Sequence, residues 1–498
     1  MDALTLMPHS HPSTRRPPTG EFDLLVIGGG IVGAGVARDA AMRGLRTLLV
    51  EQGDFASGTS SRSSRLLHGG LRYLAQGRIG LVRDASIEKM RLRQIAPHLA
   101  QPLAFVFPAW KDAGWKRWKL AIGVRLYDLL CGRNLGTSEV LGVEEVLDRA
   151  PGARLEGLTG GVRYFDGFTS DARLVLDTLH SAEDVGATLV NYMAFVDSSD
   201  AGAMRRCELM DALSGKLYTV NARAIVDAAG AWASRLPRSH VKLRLTKGVH
   251  LVIDRSRLPV RDAVVLSAGD RIVFVIPWGE RAIIGTTDTE YSGDPAEVSP
   301  DSVDMDYLLQ IVNAAFPQAH LGRDDVISSW AGVRPLIAPR NERAGAPSDI
   351  SRSHEIHMSE PGWFDVTGGK LTTYRLMAEQ TLDRVCQYLG GNWRTSNTAT
   401  TPLRTEAARG YSSILPPAFG REAVEYYCRN EWVVHLDDLL LRRASWHFYQ
   451  RHAERLAWEA ARWMAEWMEW DAKRVESELR RYSQQSCLAQ VHSSKKDR

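Results

Sequence analysis

Three glycines in Gly28-Gly29-Gly30-Ile31-Val32-Gly33, and the acid Glu51 beyond them, are the residues whose types and spacing first suggest chemistry. Gly28 allows a tight turn, Gly30 lets the backbone approach a pyrophosphate, and Gly33 lets a helix pack closely on a strand. Glu51 stands where a carboxylate accepts hydrogen bonds from a ribose diol. The glycine pattern alone is weak evidence, but its surroundings complete it. The apolar run Asp23-Leu24-Leu25-Val26-Ile27 leads in, a small-residue helical stretch over 34–43 leads out, and Arg46-Thr47-Leu48-Leu49-Val50 ends at Glu51. Strand, glycine turn, helix, strand and terminal acid make a dinucleotide-binding βαβ unit. Its helix N-terminus turns unpaired N–H groups and positive partial charge toward the phosphates.

The elements that must hold this unit belong to a chain of 498 residues, long enough for two or three domains. A hydrophobic fraction of 44% supplies an ordinary globular core. The net charge of +3 is too small to imply nucleic-acid binding. Cys131, Cys207, Cys386, Cys428 and Cys487 form no C-x-x-C pair, which argues against a disulfide framework or zinc site and fits a reducing compartment. No metal site is expected. No apolar run reaches transmembrane length. Residues 1–20 lack an apolar signal region and read as a disordered arm.

The pattern predicts helices over 81–93, 118–130 and 171–185. Residues 222–230 form a buried strand that closes on Ala228-Ala229-Gly230, as if returning to the cofactor. From 241 to 287 the signal is mostly strand, an antiparallel sheet on the substrate side. Residues 328–370 are expected to return to the first domain, followed by a long helix from Leu371. The fold class is α/β, an α+β composite. A Rossmann-like cofactor domain is assembled from 21–95, 150–235 and 328–390, with a substrate domain from 96–149 and 236–327. A linker over 391–420, a small helical domain over 421–485 and a disordered tail over 486–498 complete the chain. A fold that returns to its cofactor three times suits a flavin buried along its length.

Longer segments carry a resemblance. Gly58 through Leu74 reads Gly-Thr-Ser-Ser-Arg-Ser-Ser-Arg-Leu-Leu-His-Gly-Gly-Leu-Arg-Tyr-Leu. With Lys247-Gly248-Val249-His250, Arg271-Ile272-Val273-Phe274-Val275-Ile276-Pro277-Trp278, Ile284-Gly285-Thr286-Thr287-Asp288, Ala331-Gly332-Val333-Arg334-Pro335-Leu336 and Gly368-Gly369-Lys370-Leu371-Thr372-Thr373-Tyr374-Arg375, it resembles the FAD-dependent glycerol-3-phosphate dehydrogenases. The resemblance runs in family order over about 22–390. It weakens after Thr401, where the family's helical C-terminal domain looks shortened. It implies FAD as cofactor, with Ser60, Ser61, Ser64, His68, Gly69, Gly230, Gly332, Gly368, Gly369, Leu371 and Thr372 joining Gly28, Gly30, Gly33 and Glu51 around it. It also implies oxidation of sn-glycerol 3-phosphate to dihydroxyacetone phosphate, electrons passing to a quinone, or to oxygen in a related branch. The readings it competes with are an amine or 2-hydroxyacid oxidase of the same fold and a non-catalytic flavoprotein.

That reaction needs cations for a phosphate dianion and a base for the C2 hydroxyl proton. Arg72, Tyr73 and Arg334 are the phosphate candidates, because guanidinium makes bidentate, permanently charged contacts. Arg352 is a further candidate. His68 and His250 are candidates for the base, and sequence does not choose between them. Lys370, at the start of the predicted helix, would stabilise charge on reduced flavin or touch substrate. Asp288 would order the site.

Trp110-Lys111-Asp112-Ala113-Gly114-Trp115-Lys116-Arg117-Trp118-Lys119 interleaves indoles and cations just before an apolar helix. That composition suits a helix lying in a membrane interface. The expected location is the cytoplasm, on the inner face of the cell membrane. Sequence leaves the oligomeric state open, a homodimer among the options. The tryptophans Trp458, Trp463, Trp467 and Trp470 recur at helical spacing and are expected to pack inside or between domains.

Overall fold

The computed structural model describes residues 17–70, 74, 77–112, 114–131, 136–269, 271–337, 354–404 and 409–487. In chain order, β1 (Glu21–Ile27), α1 (Ile31–Arg43) and β2 (Thr47–Val50) open the fold. β3 (Leu66–Leu67), α2 (Ile79–Ile95), β4 (Gln101–Trp110), α3 (Arg117–Cys131), β5 (Glu139–Leu141), α4 (Val143–Arg149) and β6 (Leu158–Phe168) follow. α5 (Asp171–Glu183) leads into β7 (Thr188–Val190), β8 (Met193–Ala201), β9 (Met204–Asp211) and β10 (Leu217–Asp227). Next come β11 (Leu243–Asp254), β12 (Ala263–Ala268), β13 (Arg271–Trp278), β14 (Arg281–Gly285) and β15 (Thr289–Tyr291). α6 (Ser302–Ala315), β16 (Val326–Ile337), β17 (His354–Glu360), β18 (Trp363–Gly368) and α7 (Tyr374–Leu389) complete the two sheets. The C-terminal helices are α8 (Arg421–Asn430), α9 (Trp446–Tyr449), α10 (Ala453–Met468) and α11 (Ala472–Cys487), with a π-helical turn Asp438–Arg443 before α9.

The first sheet runs β17-β18-β10-β1-β2-β7, with β8 and β9 attached to β10. Its centre is parallel: β1 pairs with β2 and β10, and β10 with β18. Six of the seven β1 residues are buried, as expected of a central strand covered on both faces. α1 lies against α5 and α7 on one face. The approach is close because Gly35 has no side chain; a Cβ there would sit 2.9 Å from the Tyr374 ring. Gly44, at φ +96°, ends α1 and returns its N–H to Ala40 and Ala41.

The second sheet runs β15-β11-β14-β13-β12-β4-β6-β3, with β16 on the other side of β11 and β5 on β6. Three segments that the sequence placed with the cofactor part lie in this sheet, the short β3, β6 and β16. β16 pairs antiparallel with β11 from Leu243↔Ile337 to Ile253↔Val326. β6 pairs with β4 from Gln101↔Phe168 to Trp110↔Leu158. Their apolar alternation fits either sheet, and the partner strands decide. The joint between the sheets is made by residues 59–64. Thr59 donates its hydroxyl to the Val333 carbonyl at 2.5 Å, and the Trp330 indole donates to the Ser63 carbonyl at 3.2 Å.

The 110–119 segment is less exposed than its composition suggests. Trp110 closes β4, 7% exposed, its indole donating to the Arg154 carbonyl. Trp115 packs on Phe107. Of the three, only Trp118 stands in solvent, 61% exposed. Among the C-terminal tryptophans, Trp463, Trp467 and Trp470 pack on the helical core, whereas Trp458 is exposed.

Candidate active site

The glycine turn is built by close approach. Gly28, at φ +109°, donates its N–H to the Val50 carbonyl, and a Cβ there would lie 2.6 Å from the Ala228 carbonyl oxygen. A Cβ on Gly33 would lie 1.8 Å from the Gly28 carbonyl oxygen. Gly30 caps α1 in extended conformation, and the Ile31 N–H donates to Ser60 Oγ at 3.0 Å. The Glu51 carboxylate accepts N–H groups from Gly29 at 2.7 Å and Gly53 at 2.9 Å, so it braces the turn itself. Burial pushes its carboxyl above the ordinary range despite those two bonds. Gly230, at φ +57°, opens a short turn just after β10, and Ser61 is buried in the turn Thr59–Ser61.

From this turn a cavity of about 310 Å³ runs between the sheets. Ser60, Ser64, His68, His250, Gly332, Arg334, Gly369, Lys370, Leu371 and Thr372 line it together. Gly28, Gly30, Gly33, Glu51, Ser61, Gly69, Gly230 and Gly368 stand outside its lining. Arg72, Tyr73 and Arg352 lie outside the described residues. The lining also includes Arg62, Trp115, Tyr164, Asp166, Arg271 and Phe274, none of which sequence reasoning named as a site residue. Arg62 stood inside the quoted Gly58–Leu74 segment, and Arg271 and Phe274 inside Arg271–Trp278, and could have been found there; nothing local marks Asp166.

His250 is 2% exposed, its Nε2 2.7 Å from Ser64 Oγ and its ring stacked on Trp330 at 5.2 Å. Behind Trp330 lies Arg65, 2% exposed, its guanidinium 4.2 Å from the Trp278 ring and 5.2 Å from Trp330. The room for the imidazole is made across the β11–β14 pair, where a Cβ on Gly285 would sit 2.3 Å from the His250 ring. Burial first, then the charges of Arg334 and Arg65, hold His250 well below the usual histidine range. It is therefore a neutral imidazole at physiological pH. His68 is fixed through its backbone: its N–H donates to Thr372 Oγ1 at 3.1 Å.

Arg334 is oriented by Thr286 Oγ1 at 3.0 Å, Asp288 Oδ1 at 3.2 Å and the Thr287 carbonyl at 3.4 Å. Gly248 gives it space, since a Cβ there would lie 2.5 Å from the guanidinium. Lys370 does not begin the long helix. A 3-10 turn, Leu371–Thr373, intervenes, and α7 starts only at Tyr374. The N-terminus of α7 is displaced from Lys370 by that turn, and the Lys370 side chain lines the cavity.

Residues 23–375 match the family of FAD dependent oxidoreductases. The aerobic glycerol-3-phosphate dehydrogenase of Staphylococcus haemolyticus is 38% identical over 379 residues, covering 74% of this chain and 68% of its own length. The Staphylococcus aureus enzyme of the same name is 38% identical over 382 residues, with the same coverages. The chain belongs to the aerobic glycerol-3-phosphate dehydrogenase family of FAD-dependent oxidoreductases. The structure of glycerol-3-phosphate dehydrogenase from Bacillus halodurans, complexed with FAD, superposes with a TM-score of 0.75 at 30% identity, covering 95% of this chain and 97% of that one. Glycine oxidase from Geobacillus kaustophilus shares the fold, with a TM-score of 0.54 at 21% identity.

FAD is the cofactor of this family member, and the residues fit it. The Gly28–Gly33 turn closes only without side chains, since a Cβ at Gly28 or Gly33 would collide with the Ala228 or Gly28 carbonyl, and it opens α1, whose N-terminus would hold the pyrophosphate. Lys370 and Leu371 line the same cavity and would be among the residues that hold the flavin. No helix among the described residues is long and apolar enough to cross a membrane.

Proposed function

We propose that this protein oxidises sn-glycerol 3-phosphate to dihydroxyacetone phosphate and passes the electrons to a quinone at a membrane surface. The observation that carries the reading is the convergence of Arg334, Lys370 and a neutral His250 on one cavity that begins at the dinucleotide turn. Bound FAD supplies the acceptor for the hydrogen and electron pair that leave C2. Arg334 holds the phosphate dianion, with Lys370 and Arg271 adding positive charge. His250 takes the hydroxyl proton as the C2–O bond becomes a carbonyl. Burial is the main cause of the lowered His250, and Arg334 adds to it; the substrate dianion neutralises that added part, so substrate binding raises the affinity of the imidazole for that proton. His68, tied to Thr372 through its backbone, orients the turn beside it. The quinone half of the proposal rests on the exposed apolar face of α3, beside which a lipid-dissolved acceptor is accessible.

The test is anaerobic mixing of the yellow protein with glycerol 3-phosphate, glycine or lactate. Only glycerol 3-phosphate should bleach the flavin. His250→Asn should slow that bleaching at least a hundredfold, whereas His68→Asn should change it less. Bleaching by glycine or lactate instead would refute the substrate assignment.

A further inference from the structure

The C-terminal helices meet the first sheet at one place behind the dinucleotide turn, and the chemistry of that contact is unusual. Asp54, three residues after Glu51 in the sequence, is 2% exposed. Its Oδ1 accepts from Arg443 Nη2 at 2.8 Å, and its Oδ2 from Arg442 Nε at 2.5 Å and from Arg443 Nη1. Arg442 turns its other nitrogen to Asp437 at 2.9 Å and Asp438 at 2.6 Å. The Tyr192 hydroxyl also donates to Asp438, at 2.6 Å, while the Tyr192 N–H donates to the Gly53 carbonyl. Two guanidinium groups and three carboxylates thus share a dry interface whose near side is the turn that carries Glu51.

A second line of contact reaches the phosphate turn. Trp432 sits at φ +51°, a left-handed backbone that a bulky side chain adopts only when its surroundings enforce it. Its ring meets Phe55 edge-on at 5.4 Å. Phe55 is fully buried against Gly29, where a Cβ would lie 2.6 Å from the Phe55 ring. The Ala56 N–H donates to the Gly29 carbonyl. Trp432, Phe55 and Gly29 therefore form a packed line from the C-terminal segment to the glycine turn. The charge of Arg442 is also felt at Glu51 and at Arg62 in the cavity wall.

We propose that segment 431–443 is a working part of the FAD site: it clamps residues 51–55 from behind, and FAD binding and docking of the C-terminal helices are one coupled equilibrium. A partly dismantled cluster leaves buried charges without partners, so the clamp is either whole or open. Coupling is reciprocal: if docking tightens FAD, FAD must tighten docking by the same factor. Asp54, Trp432, Arg442 and Arg443 are positioning residues, none of them in contact with the reacting atoms.

The experiment is hydrogen–deuterium exchange of the full chain with FAD bound and after its removal. Amides over 431–443 should exchange at least tenfold faster without FAD, together with those over 28–33. If removal of FAD speeds exchange over 28–33 and leaves 431–443 unchanged, the proposal is overturned. The variant Asp54→Asn gives the reverse direction. Its dissociation constant for FAD should rise at least tenfold, and its amides over 431–443 should exchange faster than those of the parent with FAD bound. A lowered melting temperature with unchanged FAD affinity would mean that the cluster only holds the helices together, and would also overturn the proposal. Should Asp54→Asn not fold, the exchange experiment on the parent chain decides alone.

Discussion

Arg334 is held in a fixed direction on the cavity wall. Thr286, Thr287 and Asp288 occupy its flank, and Gly248 clears the space beside it. On the proposed reading, removing it takes away a charge-assisted contact to the substrate dianion. Arg334→Ala should lower kcat/KM for glycerol 3-phosphate by about 2–5 kcal/mol, the scale of losing one partner of a buried charged pair. Bound FAD should remain near the parent level. Equal turnover of glycerol and glycerol 3-phosphate by the parent would show that no phosphate site exists. At this scale much was legible, because Gly248, His250, Gly332 and Arg334 stand in short segments whose pattern is local. What was not legible is the support. Arg65 and Trp330 are far apart in the chain, and only the fold stacks them behind His250. Asp166 lines the cavity from β6, and its neighbours in sequence give no sign of it.

α3 carries two apolar faces, which is why its sequence reads as a plain apolar helix. Leu120, Val124 and Tyr127 are buried against the second sheet. Trp118, Ile122, Leu126 and Leu129 line the opposite side, with exposures of 61, 59, 41 and 80%. Lys116, Arg117 and Lys119 are exposed at its beginning. A few hundred Å² of such surface is worth several kcal/mol at about 25 cal/mol per Å². Each cation near anionic lipid adds about 1 kcal/mol. Attachment should thus be reversible and weaken in high salt. Replacing Trp118, Ile122 and Leu129 by Ser should move the protein from anionic liposomes to the supernatant. Activity with a soluble dye should survive that change, and activity with a long-chain quinone in vesicles should fall. If the variant sediments like the parent, α3 is an ordinary surface helix. The sequence pointed to this segment through its tryptophans, yet two of the three face inward. Composition cannot say which side of a strand end or turn an indole takes.

Across the whole molecule, the parts interlock more than a division by segments suggests. β6 and β16 join the second sheet, and the C-terminal helices press on the turn beside Glu51. Pairing between strands so distant in sequence leaves no local signature, so these attachments were not readable beforehand. The C-terminal unit also sets a pH limit. His447 is 1% exposed, bonded to Tyr482 Oη at 2.7 Å, and burial lowers it to about 4. An unfolded chain binds that proton near pH 6.5. The neutral ring therefore stabilises the fold fully above pH 6.5, and its contribution is lost as pH falls toward 4, about 3 kcal/mol in all. His447→Asn should melt with a flatter pH dependence across that window. An unchanged slope would place the acid sensitivity elsewhere, with His250 the next candidate.

The bond between Asp54 and Arg443 spans 389 residues of chain. At about 5–20 residues per second of synthesis, their emergence from the ribosome is separated by roughly 20–80 s. β1 waits as well, because Leu24 takes Ala224 as its neighbour in the sheet. The glycine turn is therefore among the first things made and among the last things finished. A nascent chain stalled before Arg442 carries the whole glycine motif without its rear support. On the proposed coupling, the flavin should be acquired at the end of translation, and a chain truncated before Arg442 should purify without bound FAD.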